Sequence, residues 1–381
     1  MIHSDAQIPD GYQSLAEPTW RGSTTVFSDA SNVAEGWNQY DKGYTYGLYG
    51  TPTTLQLATR ICELEHGFRT IITASGQNSI SLVHLAFLKS GDHILLPENI
   101  YGPNRKLAKT ILRGFGVESS FYEPTMGNGI EALIQPNTRM IWCESPGSVT
   151  MEVQDVPAIV RVAHKHGILV ALDNTWSAGV YFDAFGCGVD ITVQALTKYV
   201  AGHSDVLLGS VTAREMSLWD KLGAAQQVLG VAASPDDCSL ALRGMKTLAV
   251  RLKEIEQTSL AVAQWLAEKP IIERVLHPAL SSCPGHELWK RDFTGSTGVF
   301  SFVVKPGTTK EQVFSFVNAL ELFKVGYSWG GVCSLALSYD FTASKNRPAY
   351  EHRLIRLNIG LEDKDDLIAD IEQALRVFEQ K

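Results

Sequence analysis

Long apolar runs are missing from this chain. No stretch of about 18 consecutive hydrophobic residues occurs, which leaves no candidate for a membrane-spanning helix. Basic clusters are missing as well. Lysine and arginine number 33 against 41 acidic residues, a formal net charge of −8. Nucleic-acid binding needs grouped cations that displace counterions from phosphates, so no nucleic-acid partner is expected. The six cysteines, Cys62, Cys143, Cys187, Cys238, Cys283 and Cys333, are scattered and form no CxxC pair. That argues against a metal site and gives no disulfide framework, and it suits a reducing cytoplasm. The opening residues, MIHSDAQIPDGYQSL, lack a basic segment followed by an apolar one, so no secretory leader is expected. Internal repeats and low-complexity tracts are absent too.

What remains is an ordinary globular composition, 45% hydrophobic and 19% charged over 381 residues. That length exceeds one small core, and two domains are expected. The stretch Leu169–Tyr199 organises them. An apolar run, Ile168–Leu172, ends in Asp173, and a second, Ile191–Leu196, ends in Thr197-Lys198. Such short runs fit parallel strands buried on both faces. Ligands of such sheets bind at the carboxyl ends of the strands. An acid and an amine are thus delivered to one edge. That suits a cofactor needing a covalent lysine and a charge partner for a ring nitrogen, as pyridoxal 5'-phosphate (PLP) does. A buried ion pair, or two unrelated strand-end charges, fits the same stretch equally well.

The elements around it alternate. Residues 1–50 are rich in Gly, Tyr, Ser and Asn and show no helical period, which predicts an arm that lies against something else, a second subunit included. Thr51–Glu65 has the helix period, with Pro52 in its first turn and Gly67 as its stop. Thr70–Ala74 reads as a strand, Ser75-Gly76-Gln77-Asn78 as a turn, and Ser79–Lys89 as a helix. A strand, a Gly turn and a helix start form a place where backbone N–H groups hold phosphate, although most such turns bind nothing. His93–Pro97, Val117–Tyr122 and Met140–Glu144 read as strands. Asn99–Pro103 reads as a loop, and Arg105–Gly114 and Val156–His166 as helices. The alternation from about 70 to 215 predicts a doubly wound α/β core. Beyond it, one long helix is expected over Ala241–Lys269, stopped by Pro270. Strands at Arg274–Leu276, Gly298–Val304 and Leu354–Leu357 and helices at Lys310–Leu320 and Lys364–Phe378 complete a smaller α+β unit. The expected division is an arm over 1–50, an α/β domain over 51–245 and a C-terminal α+β domain over 246–381.

These edges carry one set of tools: Lys198, Asp173, the loop ring of Tyr101, the turn at Gly76-Gln77, and Arg356 in an apolar strand. A basic residue there is costly unless it meets an anion. In this order the pieces resemble the Cys/Met-metabolism family of fold-type I PLP enzymes, and within it the bacterial cystathionine β-lyases. The resemblance runs through Glu144-Ser145-Pro146-Gly147-Ser148, Asp173-Asn174-Thr175-Trp176, Gln194–Tyr199 with Gly202-His203-Ser204-Asp205, Tyr327–Gly331, and Arg356 with Gly360–Asp363. It covers nearly the whole chain. It implies a large, mostly parallel seven-stranded sheet with a smaller C-terminal α+β part, and PLP as cofactor. Lys198 would hold the cofactor covalently and then act as acid and base. Asp173 would pair with the pyridine nitrogen and Tyr101 stack on the ring. Gly76, Gln77 and Thr197 would hold the phosphate, joined by Tyr46 of a neighbouring subunit. Tyr101 and Tyr46 are therefore also candidates for catalysis. Arg356 would grip the substrate carboxylate, and Ser328 and Trp329 would line the substrate side. His203 and Asp205 would be structural. The partners implied are a small amino-acid substrate and further copies of the chain, a dimer of dimers.

The sequence departs from the family on the arm. The family's pattern there is Tyr-x-Arg, and in the β-lyases Tyr-Gly-Arg-Arg-Gly-Thr. Here it is Tyr46-Gly47-Leu48-Tyr49-Gly50-Thr51, so Leu48 and Tyr49 replace two arginines. A charge-assisted hydrogen bond is worth about 1.5–3 kcal/mol, so an acidic substrate tail loses more than tenfold per contact. The usual Glu-Ser pair is Cys333-Ser334 here. The expectation is therefore a carbon–sulfur β-lyase, releasing pyruvate and ammonia, acting on a substrate without an anionic tail. A γ-lyase for methionine- or canavanine-like amino acids, an alanine racemase, and a non-catalytic PLP-binding protein are the alternatives.

Overall fold

The computed structural model describes residue 11 and residues 14–33, 36–343 and 350–379. Its first seven strands are β1 (Arg69–Thr73), β2 (His93–Pro97), β3 (Glu118–Tyr122), β4 (Thr138–Glu144), β5 (Leu169–Asp173), β6 (Ile191–Gln194) and β7 (Gly209–Ala213). They form one sheet in the order β1-β7-β6-β5-β4-β2-β3. Every neighbouring pair from β6 to β3 is parallel, while β7 runs antiparallel to both β1 and β6. The expected mostly parallel seven-stranded sheet is present.

Helices cover both faces, which is why the central strands read as unbroken apolar runs. Val170 and Leu172 of β5 pack with Val156, Ile159 and Ala163 of the helix Val156–Lys165. Ala171, on the opposite face, packs with Ile80 and Val83 of the helix Gly76–Phe87. In β4, Trp142 shares that second face. Alternation with period two then places Asp173 and Glu144, two residues further along each strand, on the face of the helix Gly76–Phe87.

A second sheet holds β8 (Ile272–Leu276), β9 (Val299–Val304), β10 (Lys324–Val325), β11 (Leu335–Tyr339) and β12 (Leu354–Asn358), in the order β10-β11-β12-β9-β8. Phe300, Phe302, Ile355 and Leu357 bury one of its faces under Val262, Leu266, Val313, Phe316 and Ile371. Burying one such side chain is worth about 1.5–3 kcal/mol. No helix of the described residues is long and apolar enough to cross a membrane.

Several boundaries differ from expectation, each for a local reason. The helix expected over Ala241–Lys269 is two helices, Pro235–Met245 and Leu248–Ala267, broken at Lys246-Thr247. A Cβ on Gly244 would lie 2.3 Å from the carbonyl oxygen of Ala201, so the first helix approaches that loop as only glycine allows. The helix Pro52–Glu65 ends on His66, whose φ is 58°, rather than on Gly67. A Cβ on Gly67 would lie 2.2 Å from Thr212 Cγ2, so that glycine serves close packing instead. The helix expected from Arg105 begins at Gly102, with Pro103 in the first turn, and the helix expected from Ser79 begins at Gly76. The second change matters, because it moves Gly76 and Gln77 into the first helical turn.

The described residues before Thr51 form short turns and single-turn helices, Ala30–Asn32, Gln39–Lys42 and Gly47–Tyr49, rather than a core of their own. They have found a seat on their own chain: Trp37 and Trp219 rings lie 4.4 Å apart, and Tyr40 stands 5.8 Å from Trp219. A Cβ on Gly223, in the helix Met216–Leu229, would collide with the Trp37 ring at 2.0 Å.

Candidate active site

Lys198 sits on the turn leaving β6. Its N–H donates to the Ala195 carbonyl at 3.0 Å, and its own carbonyl accepts from Gly202 at 2.8 Å. The side-chain nitrogen donates to Ser328 Oγ at 2.6 Å and lies 5.2 Å from the centre of the Trp329 ring. Burial, and then the charge of Arg356, pull the amine down to about 8, with Asp173 opposing them. An amine near 8 is available as nucleophile and base close to neutral pH.

Asp173 ends β5. One carboxylate oxygen accepts from the Thr175 N–H at 3.1 Å and the Thr175 hydroxyl at 2.5 Å. Burial pushes this carboxyl up, while Thr175 and the Lys198 charge pull it down. Across the sheet, Glu144 of β4 stands in register with Asp173. Tyr101 precedes the helix Gly102–Leu107, its N–H donates to Glu144 Oε2 at 2.7 Å, and its ring is 42% exposed. Its hydroxyl is raised by burial first, then by Asp173 and Glu144, which places the ring beside those two acids.

Gly76 and Gln77 open the helix Gly76–Phe87 behind the Ser75 cap. First-turn N–H groups have no intrahelical acceptor, which makes them a phosphate seat. A Cβ on Gly76 would lie 2.7 Å from the Ala195 Cβ, so a side chain there would wedge this turn away from the lysine loop. Thr197 stands at the same edge, but its hydroxyl donates to the Leu208 carbonyl at 3.1 Å and accepts from the Leu208 N–H at 3.0 Å.

On the other side, Arg356 of β12 is 7% exposed. One of its terminal nitrogens donates to the Ser328 carbonyl at 3.0 Å, whereas its Nε is buried with no hydrogen-bond partner among the described residues. Ser328 has φ 75°, a left-handed conformation costing about 1–3 kcal/mol outside glycine. Bonds from Lys198 and Arg356 hold it there. Gly330 has φ 81°, and a Cβ on it would press on the Lys198 Cβ at 3.1 Å, so glycine is required where the two loops meet.

The structure thus gathers Lys198, Asp173, Tyr101, Ser328, Trp329 and Arg356, with the helix start at Gly76 alongside. It does not bring Tyr46, Leu48 or Tyr49 to them within one chain. The hydrogen bonds and ring contacts of the described residues join none of these to Lys198, Asp173 or Arg356. Tyr46 is 49% exposed and meets the Tyr49 ring at 6.2 Å. Leu48 and Tyr49 line a cleft with Trp37, Gln39, Tyr40 and Trp219.

Over residues 1–376 the sequence matches the family of Cys/Met metabolism PLP-dependent enzymes. The chain belongs to that family. It is 44% identical over 360 residues to a putative cystathionine β-lyase of Rhizobium johnstonii, covering 93% of this chain and 90% of that one. It is 42% identical over 334 residues to the cystathionine β-lyase MetC of Escherichia coli, covering 86% and 84% of the two chains. The crystal structure of metB from Corynebacterium glutamicum superposes with a TM-score of 0.89 at 29% identity, over 99% of this chain and 97% of that one.

The cofactor of this family is PLP, and the groups on this edge fit it: an amine with depressed affinity for its proton, a half-buried carboxyl, and a helix start closed by a glycine. Arg356 adds a buried guanidinium whose Nε has no partner among the described residues, which is the donor a substrate carboxylate requires.

Sequence reasoning missed four supporting residues. Thr175 ties Asp173 and also accepts the Ala195 N–H at 2.9 Å. Asn358 Oδ1 accepts from the Gly330 N–H at 2.8 Å. Glu65, buried, accepts from the hydroxyls of Thr192 at 3.0 Å and Thr212 at 2.8 Å and from Asn174 Nδ2 at 3.4 Å. Arg251, buried, donates to the carbonyls of Tyr199 and Gly244, each at 2.8 Å, and clamps the loop after Lys198. The signal for both charged residues was positional: Glu65 follows Ile61 by four, and Arg251 lies between Leu248 and Ile255 on one helix face. His203 serves its own loop, its Nδ1 lying 2.7 Å from the Ala201 carbonyl oxygen.

Proposed function

We propose that this chain is a PLP-dependent carbon–sulfur β-lyase for L-amino acids whose side chain ends without an anion. The observation that carries the reading is the Lys198 amine bonded to Ser328 Oγ and lowered toward neutral pH between Asp173, at the end of β5, and Arg356, on β12 of the second sheet. The names of the relatives support β-cleavage, since those of Rhizobium johnstonii and Escherichia coli are both cystathionine β-lyases.

In this reading Arg356 holds the substrate α-carboxylate through its free Nε, and Trp329 walls the substrate side. PLP, when bound, supplies an electron sink for the charge left at Cα. Lys198 holds the cofactor, then removes the Cα proton, and Ser328 steadies its nitrogen. Asp173 would pair with the cofactor's ring nitrogen and favour its protonated form. Gly76 and Gln77 donate N–H groups to the phosphate, with Thr197 beside them. The Cβ–S bond breaks, the thiol leaves with a proton, and water converts the three-carbon remainder to pyruvate and ammonia.

The arm serves a neighbouring copy. Tyr46 is half exposed and reaches no group of its own chain's site, which supports a dimer, or a dimer of dimers, in which it completes the phosphate seat next door. Leu48 and Tyr49 then bring no positive charge to the substrate's tail. The test is product analysis with a panel of amino acids: pyruvate marks β-cleavage, and 2-oxobutyrate as the main product overturns it.

A further inference from the structure

We infer that Glu144 is a positioning residue of this site, fixing Tyr101 from below and setting beside Asp173 a second carboxyl that a bound cation ionises. The inference rests on the reading above and deepens it.

Glu144 is 7% exposed, and every polar atom of its end is engaged. Oε2 accepts from the Tyr101 N–H at 2.7 Å, Oε1 accepts from the Ser148 hydroxyl at 2.5 Å, and its own N–H donates to Gln154 Oε1 at 3.1 Å. Tyr101 has no side-chain cap of its own at the helix Gly102–Leu107, so the bond to Glu144 is what locates it. Two residues earlier, Asn99 Nδ2 donates to Glu152 Oε2 at 3.0 Å. The Tyr101 loop is thus pinned by two carboxylates from the single segment 144–152. Glu144 differs from Glu152 in standing directly opposite Asp173 in the sheet.

Both carboxylate oxygens of Glu144 accept hydrogen bonds, which favours the ionised form. Burial and then Asp173 oppose it, lifting the group to about 8. The titratable groups facing it are Asp173 from β5, Tyr101 from the loop and Tyr122 from β3. None of these is a cation, and among the described residues no ion pair neutralises it. Two acids side by side, Glu144 buried and Asp173 half-buried, are a seat for a cation. A protonated pyridine nitrogen at Asp173 is such a cation. By linkage, whatever the bound cation contributes to ionising Glu144, Glu144 returns as affinity for the cation.

The experiment uses the full-length apoprotein and PLP, with Glu144→Gln, Glu144→Asp and Ser148→Ala. Glutamine keeps an acceptor for the Tyr101 N–H and removes the charge. Expected for Glu144→Gln are a roughly tenfold weaker PLP dissociation constant and a fall of about one unit in the pH at which the bound cofactor changes colour. Circular dichroism should stay unchanged. Glu144→Asp should regain most of both. Ser148→Ala, which removes a donor from the anion, should shift both in the same direction as glutamine, and it serves if Glu144→Gln does not fold. Unchanged PLP affinity and colour midpoint in Glu144→Gln overturn the inference. If wild-type protein takes up no PLP, the reading of the Lys198 site fails instead, so the two failures are distinct.

Discussion

The Lys198 side-chain nitrogen donates to Ser328 Oγ at 2.6 Å, joining the turn after β6 to the loop after β10. That contact places the amine at the meeting of the two sheets, where burial and Arg356 bring it to about 8 from an ordinary 10.5. The sign follows directly. An amine at 8 is about one-tenth unprotonated at pH 7, against about 0.03% for an ordinary lysine. The rate at which apoprotein turns yellow with PLP should therefore climb about tenfold between pH 6 and 7, then level off above about 8. A rate still climbing steeply from 9 to 10 would contradict the depressed amine.

Arg356 should be needed for substrate far more than for cofactor. Its Nε has no partner among the described residues, while a terminal nitrogen is bonded to the Ser328 carbonyl. Arg356→Lys keeps the charge and loses the fork, so a two-pronged carboxylate contact is lost. The expected loss in kcat/KM is about 1.5–3 kcal/mol, or more than tenfold. PLP content, read from absorbance, should stay near wild type.

Leu48→Arg restores one cation to the arm. Turnover of cystathionine, whose tail is anionic, should rise severalfold relative to that of an uncharged thioether. Leu48 lies in the cleft beside Trp37 and Trp219, so the melting temperature must be recorded as a control. An unchanged substrate ratio with intact protein would remove the charge argument.

Arg251→Met should loosen the loop after the lysine. It leaves the Tyr199 carbonyl unpaired in the interior and takes one donor from the Gly244 carbonyl, which keeps its bonds from Thr247. A stranded acceptor costs about 1–3 kcal/mol, so thermal denaturation should show a drop of a few degrees. Arg251→Lys should rescue little, since an ammonium cannot span both carbonyls.

Much of this was legible in the sequence because the central strands of the main sheet, β4, β5 and β6, are apolar runs that lead into a chemical group. Ile168–Leu172 and Ile191–Leu196 marked β5 and β6, and the residues closing those runs are Asp173 and Lys198. What was not legible depends on contacts distant in sequence. The short β10 and the strand β11 alternate too weakly to stand out. The break at Lys246-Thr247 lies just past Gly244, whose close approach to the loop at Ala201 no local pattern announces. The glycine turn read before Ser79 lies within the helix, because Ser75 caps it one turn earlier than the apolar period begins. Arg251 looked like an ordinary charge in a long helix, since nothing nearby in the chain shows which carbonyls it meets.

Borohydride reduction of PLP-loaded protein, followed by peptide mapping, tests the central claim most directly. The account predicts a single pyridoxyl group on Lys198, lost with its colour in Lys198→Ala. A modification on any other lysine, or none, would contradict it.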